Sequence, residues 1–225
     1  MATDDQQSAP IDRSDAYALV TTDDHKRLYA KWADNYDETF AAQNEYRSPK
    51  AIADLFAQVV PAQAQAAIAD IGCGTGLVGQ YLAELLPESK IDGIDISIQM
   101  LDQARTKFRS DKSAVYRNLI EADLKADFAI EHDSYDALIS AGTFTHGHLG
   151  PEIISKLIPV VRIGGSFVIG VNSQHFVARG FDSALSELWR DESISAPELH
   201  DIQTYGEGSK HFGDIAKVLV FKREK

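Results

Sequence analysis

Apolar positions recur at helical spacing from Thr22 to about Phe40, where Leu28, Tyr29, Trp32, Tyr36 and Phe40 form an aromatic stripe. Ser48 and Pro49 suit a cap and first position for a second helix over Ala51–Val60. Beyond these helices the period switches back and forth. Short apolar runs predict strands near 67–71, 90–95, 113–117, 135–140, 165–171, 199–205 and 214–222. Helical patterns lie between them near 77–86, 97–109, 152–162 and 181–190, with Ser97 capping the second and Pro151 at the first turn of the third. Such alternation predicts an α/β fold, a mostly parallel sheet with helices on both faces. Turn-rich Gly206-Glu207-Gly208-Ser209 separates the last two strands, so they should form an antiparallel hairpin that completes the sheet. No repeat or linker divides the chain. A single domain is expected over 16–225, with a helical extension at 16–62, a core at 63–225 and a flexible tail at 1–15.

The first strand runs straight into Asp70-Ile71-Gly72-Cys73-Gly74-Thr75-Gly76, and a helical pattern starts at Leu77. Strand, glycine loop and helix start make a place where bare main chain can meet a nucleotide. Acidic residues stand at three successive strand ends. Asp70 precedes the loop. Asp95 follows Gly74 by 21 positions, the separation at which a carboxylate grips ribose hydroxyls. Asp123 follows the third strand, where it could accept from the exocyclic amine of an adenine. Alone, each is an ordinary cap or loop residue; in this order, all three point to a nucleotide pocket.

A nicotinamide fingerprint can be read at Gly74, Gly76 and Gly79, but its first glycine arrives late and no second domain follows to hold a hydride acceptor. Tyr46 and Lys50 have the spacing of a short-chain dehydrogenase pair but precede the loop and enclose Pro49. No Gly-Lys-Ser/Thr follows the glycines, so this is no P-loop.

Charge narrows the partners. Across 225 residues the formal net charge is −12, and Lys and Arg are scattered apart from a short Lys222-Arg223-Glu224-Lys225 tail. Such a surface repels phosphate backbones and anionic lipid, so neither nucleic acid nor a membrane is expected as a partner. The one cysteine, Cys73, excludes an internal disulfide and fits a reducing compartment. The opening Met1-Ala2-Thr3-Asp4-Asp5-Gln6-Gln7 lacks the basic and hydrophobic regions of a signal peptide, and the expected location is cytoplasmic.

The loop, together with Gly93-Ile94-Asp95-Ile96-Ser97 and Ala122-Asp123-Leu124, resembles the class I S-adenosylmethionine-dependent methyltransferases over roughly 25–222. That resemblance implies a Rossmann-like seven-stranded sheet of order 3-2-1-4-5-7-6. It also implies S-adenosylmethionine as cofactor, S-adenosylhomocysteine as product, and transfer of a methyl group to a small-molecule acceptor. By the same resemblance the cofactor would meet Tyr36, Asp70, Gly72, Cys73, Gly74, Gly76, Asp95, Ile96, Met100, Ala122, Asp123, Leu124, Ser140 and Ala141. Ile96 and Met100 would pack on the adenine, and the N-terminal helix would act as a lid with Tyr36 touching ligand. A narrower likeness joins Gly142-Thr143-Phe144-Thr145-His146-Gly147-His148-Leu149-Gly150-Pro151 with Trp32-Ala33-Asp34-Asn35-Tyr36-Asp37. These strings resemble the methyltransferase-like proteins of the Williams–Beuren syndrome region and their bacterial relatives. The competing readings are a non-catalytic S-adenosylmethionine-binding protein and, behind it, a nicotinamide-dependent oxidoreductase.

Methyl transfer from a sulfonium requires an aligned nucleophile and, for a hydroxyl or ammonium acceptor, a base. His146 and His148, in the loop after the fourth strand, are the candidates for that base, with Tyr36 as the third catalytic candidate. His146-x-His148 has no third ligand at metal-binding spacing, so no metal is expected. The fourth strand leads into Ser140-Ala141-Gly142-Thr143 rather than the Asn/Asp-Pro-Pro-Tyr/Phe of enzymes that methylate adenine or glutamine nitrogen. Asn172, His175 and Phe176, after the fifth strand, are further candidates to line the acceptor site.

Overall fold

In the computed structural model, which describes residues 21–61, 65–126 and 128–225, strand β1 (Ala67–Ile71) is buried along its whole length. Its apolar run needs that setting, because a central parallel strand is covered on both faces. Parallel neighbours flank it: β2 (Lys90–Asp95) on one side and β4 (Tyr135–Phe144) on the other. With β3 (Tyr116–Glu121), β5 (Val161–Asn172), β6 (Glu198–Gln203) and β7 (Ile215–Lys222) they form one seven-stranded sheet of order β3-β2-β1-β4-β5-β7-β6. The last two strands pair antiparallel with each other, and β7 pairs antiparallel with β5. This is the Rossmann-like order that the resemblance implied.

Helices cover both faces. Ile52, Ala53 and Phe56 of α2 (Ser48–Val59) meet Val78 and Leu82 of α3 (Leu77–Leu85) and Leu101 of α4 (Ile98–Ala104) over Ile68 of β1. The opposite face packs Ile153, Ile154 and Leu157 of α5 (Glu152–Leu157), with Phe181 and Leu185 of α7 (Phe181–Arg190), against Ala69 and Ile71. Neighbouring β1 residues thus serve opposite cores, as the two-residue period of a strand requires. No described helix is long and apolar enough to cross a membrane.

Several boundaries differ from expectation. The N-terminal pattern is α1 (Thr22–Trp32), a tight turn at Ala33–Asn35 and a π-helical segment Tyr36–Ala41. Ser48 opens α2 as its first residue, and Arg47 holds the cap position. The helix expected over 97–109 stops at Ala104, and the third strand starts at Tyr116 rather than near 113. The cause is the turn between them: Arg109 N–H donates to the Ser113 carbonyl at 2.8 Å, and Asp111 accepts from Ser113 N–H at 2.9 Å. Pro159 closes the helix after Glu152–Leu157 early, in a short turn, so β5 begins at Val161. A short helix α6 (Ser173–Ala178), not expected from the apolar pattern, follows β5 because Asn172 Oδ1 accepts from the N–H groups of Gln174 and His175. The tail expected at 1–15 and the first residues of the extension, 16–20, lie outside the described residues.

Candidate functional site

Where β1 ends, three glycines carry the chain back across the sheet. Gly72 takes φ +65°, and a Cβ there would lie 1.9 Å from Thr143 Oγ1 of β4, so the loop can hug β4 only without a side chain. Gly74, at φ +54°, has no atom within 4 Å of its would-be Cβ. That open cradle is where bare main chain faces the cleft. The Gly72 N–H is anchored by the Ile94 carbonyl at 2.7 Å.

Asp95, at the end of β2, braces the loop from the neighbouring strand. Its Oδ2 accepts from Gly74 N–H and its Oδ1 from Ser97 N–H, each at 2.9 Å. Ser97 in turn caps α4 by accepting from Met100 N–H. Burial pushes the Asp95 carboxyl above its ordinary range even though these N–H groups favour the charged form. The loop's Cys73 thiol is also pushed up, first by burial and then by the nearby Asp95 and Asp70 carboxylates, so it stays protonated.

The space above the loop is a cleft partly open to solvent. Its walls include Gly72, Cys73, Gly74, Asp95, Ile96, Met100, Ala122, Asp123, Leu124, Ala141 and Tyr36 among the residues singled out from the sequence. Three of that set do not reach it. Asp70 is fully buried beneath the loop, where its Oδ2 accepts from Tyr116 OH at 2.7 Å. Gly76 sits at φ +91° as the cap of α3, with Tyr116 and Ala104 where a Cβ would lie. Ser140 is buried in the sheet and donates to the Ile71 carbonyl at 2.8 Å. Each shapes the loop from behind.

The two loop histidines part company. His148 N–H donates to the Thr145 carbonyl at 3.0 Å, and Gly147 takes φ +78°, so a tight turn separates the rings. His146 turns to His175, ring centroids 5.4 Å apart, and lines neither the cleft nor the chamber beyond it. His148 lines both. Its Nδ1 lies 2.8 Å from the His146 carbonyl, which can only accept, so the hydrogen is on Nδ1. Nε2 therefore accepts from the Tyr29 hydroxyl at 2.7 Å. Burial lowers His148 to about 4, and the ring is neutral at pH 7. Of the other candidates near β5, Asn172 lines the chamber while capping α6. His175 is buried against the Leu149 carbonyl, and Phe176 belongs to the core.

Sequence patterns did not single out the residues that hold the N-terminal segment down. Asp37 accepts from Thr75 of the glycine loop and from Lys107, both at 2.6 Å, and so latches the π-helical segment onto the cleft. His25 contacts the His148 ring at 4.4 Å and accepts a place in the cleft wall, with Nε2 3.0 Å from the Gly147 carbonyl. Only the helical period of the aromatic stripe hinted at Tyr29. Among the described residues, no group of three or more His, Cys, Asp or Glu is placed to hold a metal ion.

A second chamber, partly open to solvent, adjoins the cleft. Tyr29, Tyr36, Tyr46, Gly142 and His148 belong to the walls of both. Burial also pushes the Tyr36 phenol well above its ordinary range, so it stays protonated at this junction.

Residues 68–165 match the family model described as a methyltransferase domain. The chain is 31% identical to trans-aconitate 2-methyltransferase of Rhodopseudomonas palustris (strain BisB5) over 156 residues, which cover 66% of this chain and 56% of that protein. It is 30% identical to methyltransferase-like protein 27 of Homo sapiens over 142 residues, 61% of this chain and 54% of that one. The chain thus spans little more than half the length of these curated relatives. In fold it is similar to Haemonchus contortus phosphoethanolamine N-methyltransferase 2, solved with phosphomonomethylethanolamine and S-adenosylhomocysteine. The TM-score is 0.65 at 13% identity, with 92% of this chain and 61% of that one covered.

Proposed function

We propose that this chain, a class I S-adenosylmethionine-dependent methyltransferase by its matched domain and its fold, methylates a small-molecule acceptor held in the inner chamber. S-adenosylmethionine is the cofactor and S-adenosylhomocysteine the product. When bound, the sulfonium supplies an activated methyl group. The open cradle at Gly74 fits such a ligand, since nothing else fills it. Gly72, Cys73 and Gly74 would face its amino-acid portion with main chain. Asp95 keeps lone pairs for ribose hydroxyls beyond those its two N–H donors use. Ile96 and Met100 would sandwich the adenine, with Asp123 at its edge. Residues 22–41 serve as the lid, latched through Asp37.

One observation carries the reading: a cleft with an open glycine cradle and a neighbouring aromatic chamber share a wall of five residues. A donor in the first and an acceptor in the second would meet at Tyr29, Tyr36 and His148, the alignment a displacement needs. Tyr29 and His148 supply the proton path. An acceptor hydroxyl gives its proton to Tyr29 Oη as Tyr29 passes its own to His148 Nε2. His148 is neutral at pH 7, so its Nε2 lone pair is open to take that proton for the duration of the transfer, and burial drives the proton off again afterwards. This role belongs to His148 rather than His146, which faces away.

Similarity to human methyltransferase-like protein 27 supports a place beside the Williams–Beuren-region group. A single buried cysteine supports a cytoplasmic setting. Calorimetry tests the cofactor assignment: S-adenosylhomocysteine should bind with submillimolar Kd and NAD should give no heat. Silence with S-adenosylhomocysteine rejects the reading. Release of S-adenosylhomocysteine in the presence of an acceptor panel then separates an enzyme from a mere binder.

A further inference from the structure

The inner chamber has an unusual lining. Tyr29, Trp32, Tyr36, Phe40, Tyr46 and Tyr205 supply aromatic surface, and among the described residues no Asp, Glu, Lys or Arg lines it. Phe40 sits at the centre of the group, its ring centroid 5.2 Å from that of Tyr36, 5.9 Å from Tyr46 and 6.2 Å from Tyr205. Two hydroxyls in the wall are left over. Ser48, 2% exposed at the start of α2, and Thr145, 9% exposed just after β4, are both wall residues, and neither Oγ, closed to solvent as it stands and one χ1 turn from the chamber, has a hydrogen-bond partner. A buried hydroxyl without a partner is costly, so such pairs persist where a ligand completes them.

The chamber expels charge of either sign. His148, on its wall, rests neutral at pH 7 because burial disfavours a standing imidazolium. Tyr36 cannot lose its proton, because burial disfavours the phenolate. A carboxylate or ammonium placed there would meet no counter-charge, and an unpaired buried ion is costly. Aromatic faces offset a cation by less than its desolvation costs.

We propose that the chamber binds an uncharged, ring-bearing acceptor of the phenol class, whose oxygen atoms hydrogen-bond Ser48 Oγ and Thr145 Oγ1 while its ring packs among the aromatic side chains. The proposal rests on the methyl-transfer reading, which assigns the chamber to the acceptor. It distinguishes this chain from its R. palustris relative, whose name gives it a carboxylate-rich acceptor.

The test uses the full chain saturated with S-adenosylhomocysteine and three probes with one ring in common: catechol, dopamine and 3,4-dihydroxybenzoate. They carry zero, positive and negative charge at pH 7. Calorimetry should show catechol binding at least tenfold tighter than either charged analogue. Ser48→Ala and Thr145→Val should each weaken catechol at least fivefold while changing S-adenosylhomocysteine affinity less than twofold. No catechol binding, a charged analogue equal to or tighter than catechol, or variants that keep full catechol affinity would each overturn the proposal. The wild-type probe series stands even if a variant folds poorly. Loss of S-adenosylhomocysteine binding in the wild type is a different failure, that of the methyl-transfer reading itself.

Discussion

Replacing Asp70 by Asn removes the most deeply buried carboxyl near the site and should change how stability depends on pH. Asp70 is 0% exposed on β1. Burial lifts it from its ordinary 3.8 to about 7, with the Asp95 carboxylate adding to the rise, while the hydrogen bonds from Tyr116 OH and Gly79 N–H pull the other way. Between those two pH values the folded chain binds a proton that the unfolded chain has lost, so stability must fall as pH rises through the window. At ~1.36 kcal/mol per pH unit the span amounts to about 4 kcal/mol. Asn is close in shape and keeps an oxygen to accept from Tyr116, but it cannot ionise. Urea unfolding of both proteins at pH 5, 6, 7, 8 and 9 gives the comparison directly. Relative to the wild type, the Asp70→Asn variant should gain about 2–4 kcal/mol between pH 5 and pH 9, read as a rising difference in midpoint at constant slope. Parallel profiles, or a variant that loses ground as pH rises, would refute the claim that a strained acid lies under the glycine loop.

Histidine sets the opposite limb: His148, held near 4 against an ordinary 6.5, leaves the unfolded chain with more protons between those values, so stability should fall with acidification. His25 and His175 shift in the same direction, and His148→Gln should remove about 3 kcal/mol of the fall in urea titrations from pH 7 to pH 4. Asp95→Ala should weaken S-adenosylhomocysteine binding by about 1.5–3 kcal/mol in calorimetry, the scale of a charged hydrogen-bonding partner; unchanged affinity would remove Asp95 from the ribose site. Gly72→Ala should cost about 2–4 kcal/mol in urea unfolding, from the 1.9 Å clash with Thr143 Oγ1 and the positive φ. Adding Thr143→Ala should recover only part of the clash share, because the Thr143 Cβ stays 2.7 Å from the new methyl, and it leaves the backbone share of roughly 1–2 kcal/mol untouched. Once an acceptor is in hand, Tyr29→Phe should lower kcat at least tenfold with little change in KM, whereas His146→Ala should leave kcat within about threefold; the reverse ranking would sink the proton path drawn here.

The strands and the loop were legible because both are written locally, whereas the order of the strands came from the family resemblance. Apolar runs such as Ala67–Ile71 announce a strand covered on both sides, and three closely spaced glycines break it where only bare backbone can turn. The helix ends were less legible. Pro159 and the Arg109–Ser113 turn ended their segments through hydrogen bonds and ring constraints that an apolar period does not register. The same limit applied to Asp70, Gly76 and Ser140: their places along the chain abut the cleft, but a strand's alternation and the left-handed turn at Gly76 point them into the sheet and the helix behind it.

By itself, then, the chain determined its strands, the helices between them and a glycine-lined cradle at the end of β1, since these depend on residue period and glycine spacing within short stretches, while the order of the strands followed from the resemblance. Tertiary packing alone decided which imidazole faces the cleft, because that choice is made by one turn at Gly147 and by Tyr29, 119 positions away. It also decided the latch through Asp37, the neutrality of His148 and the uncharged aromatic chamber. Burial and hydrogen bonding between distant segments set these properties, and neither is a function of local sequence.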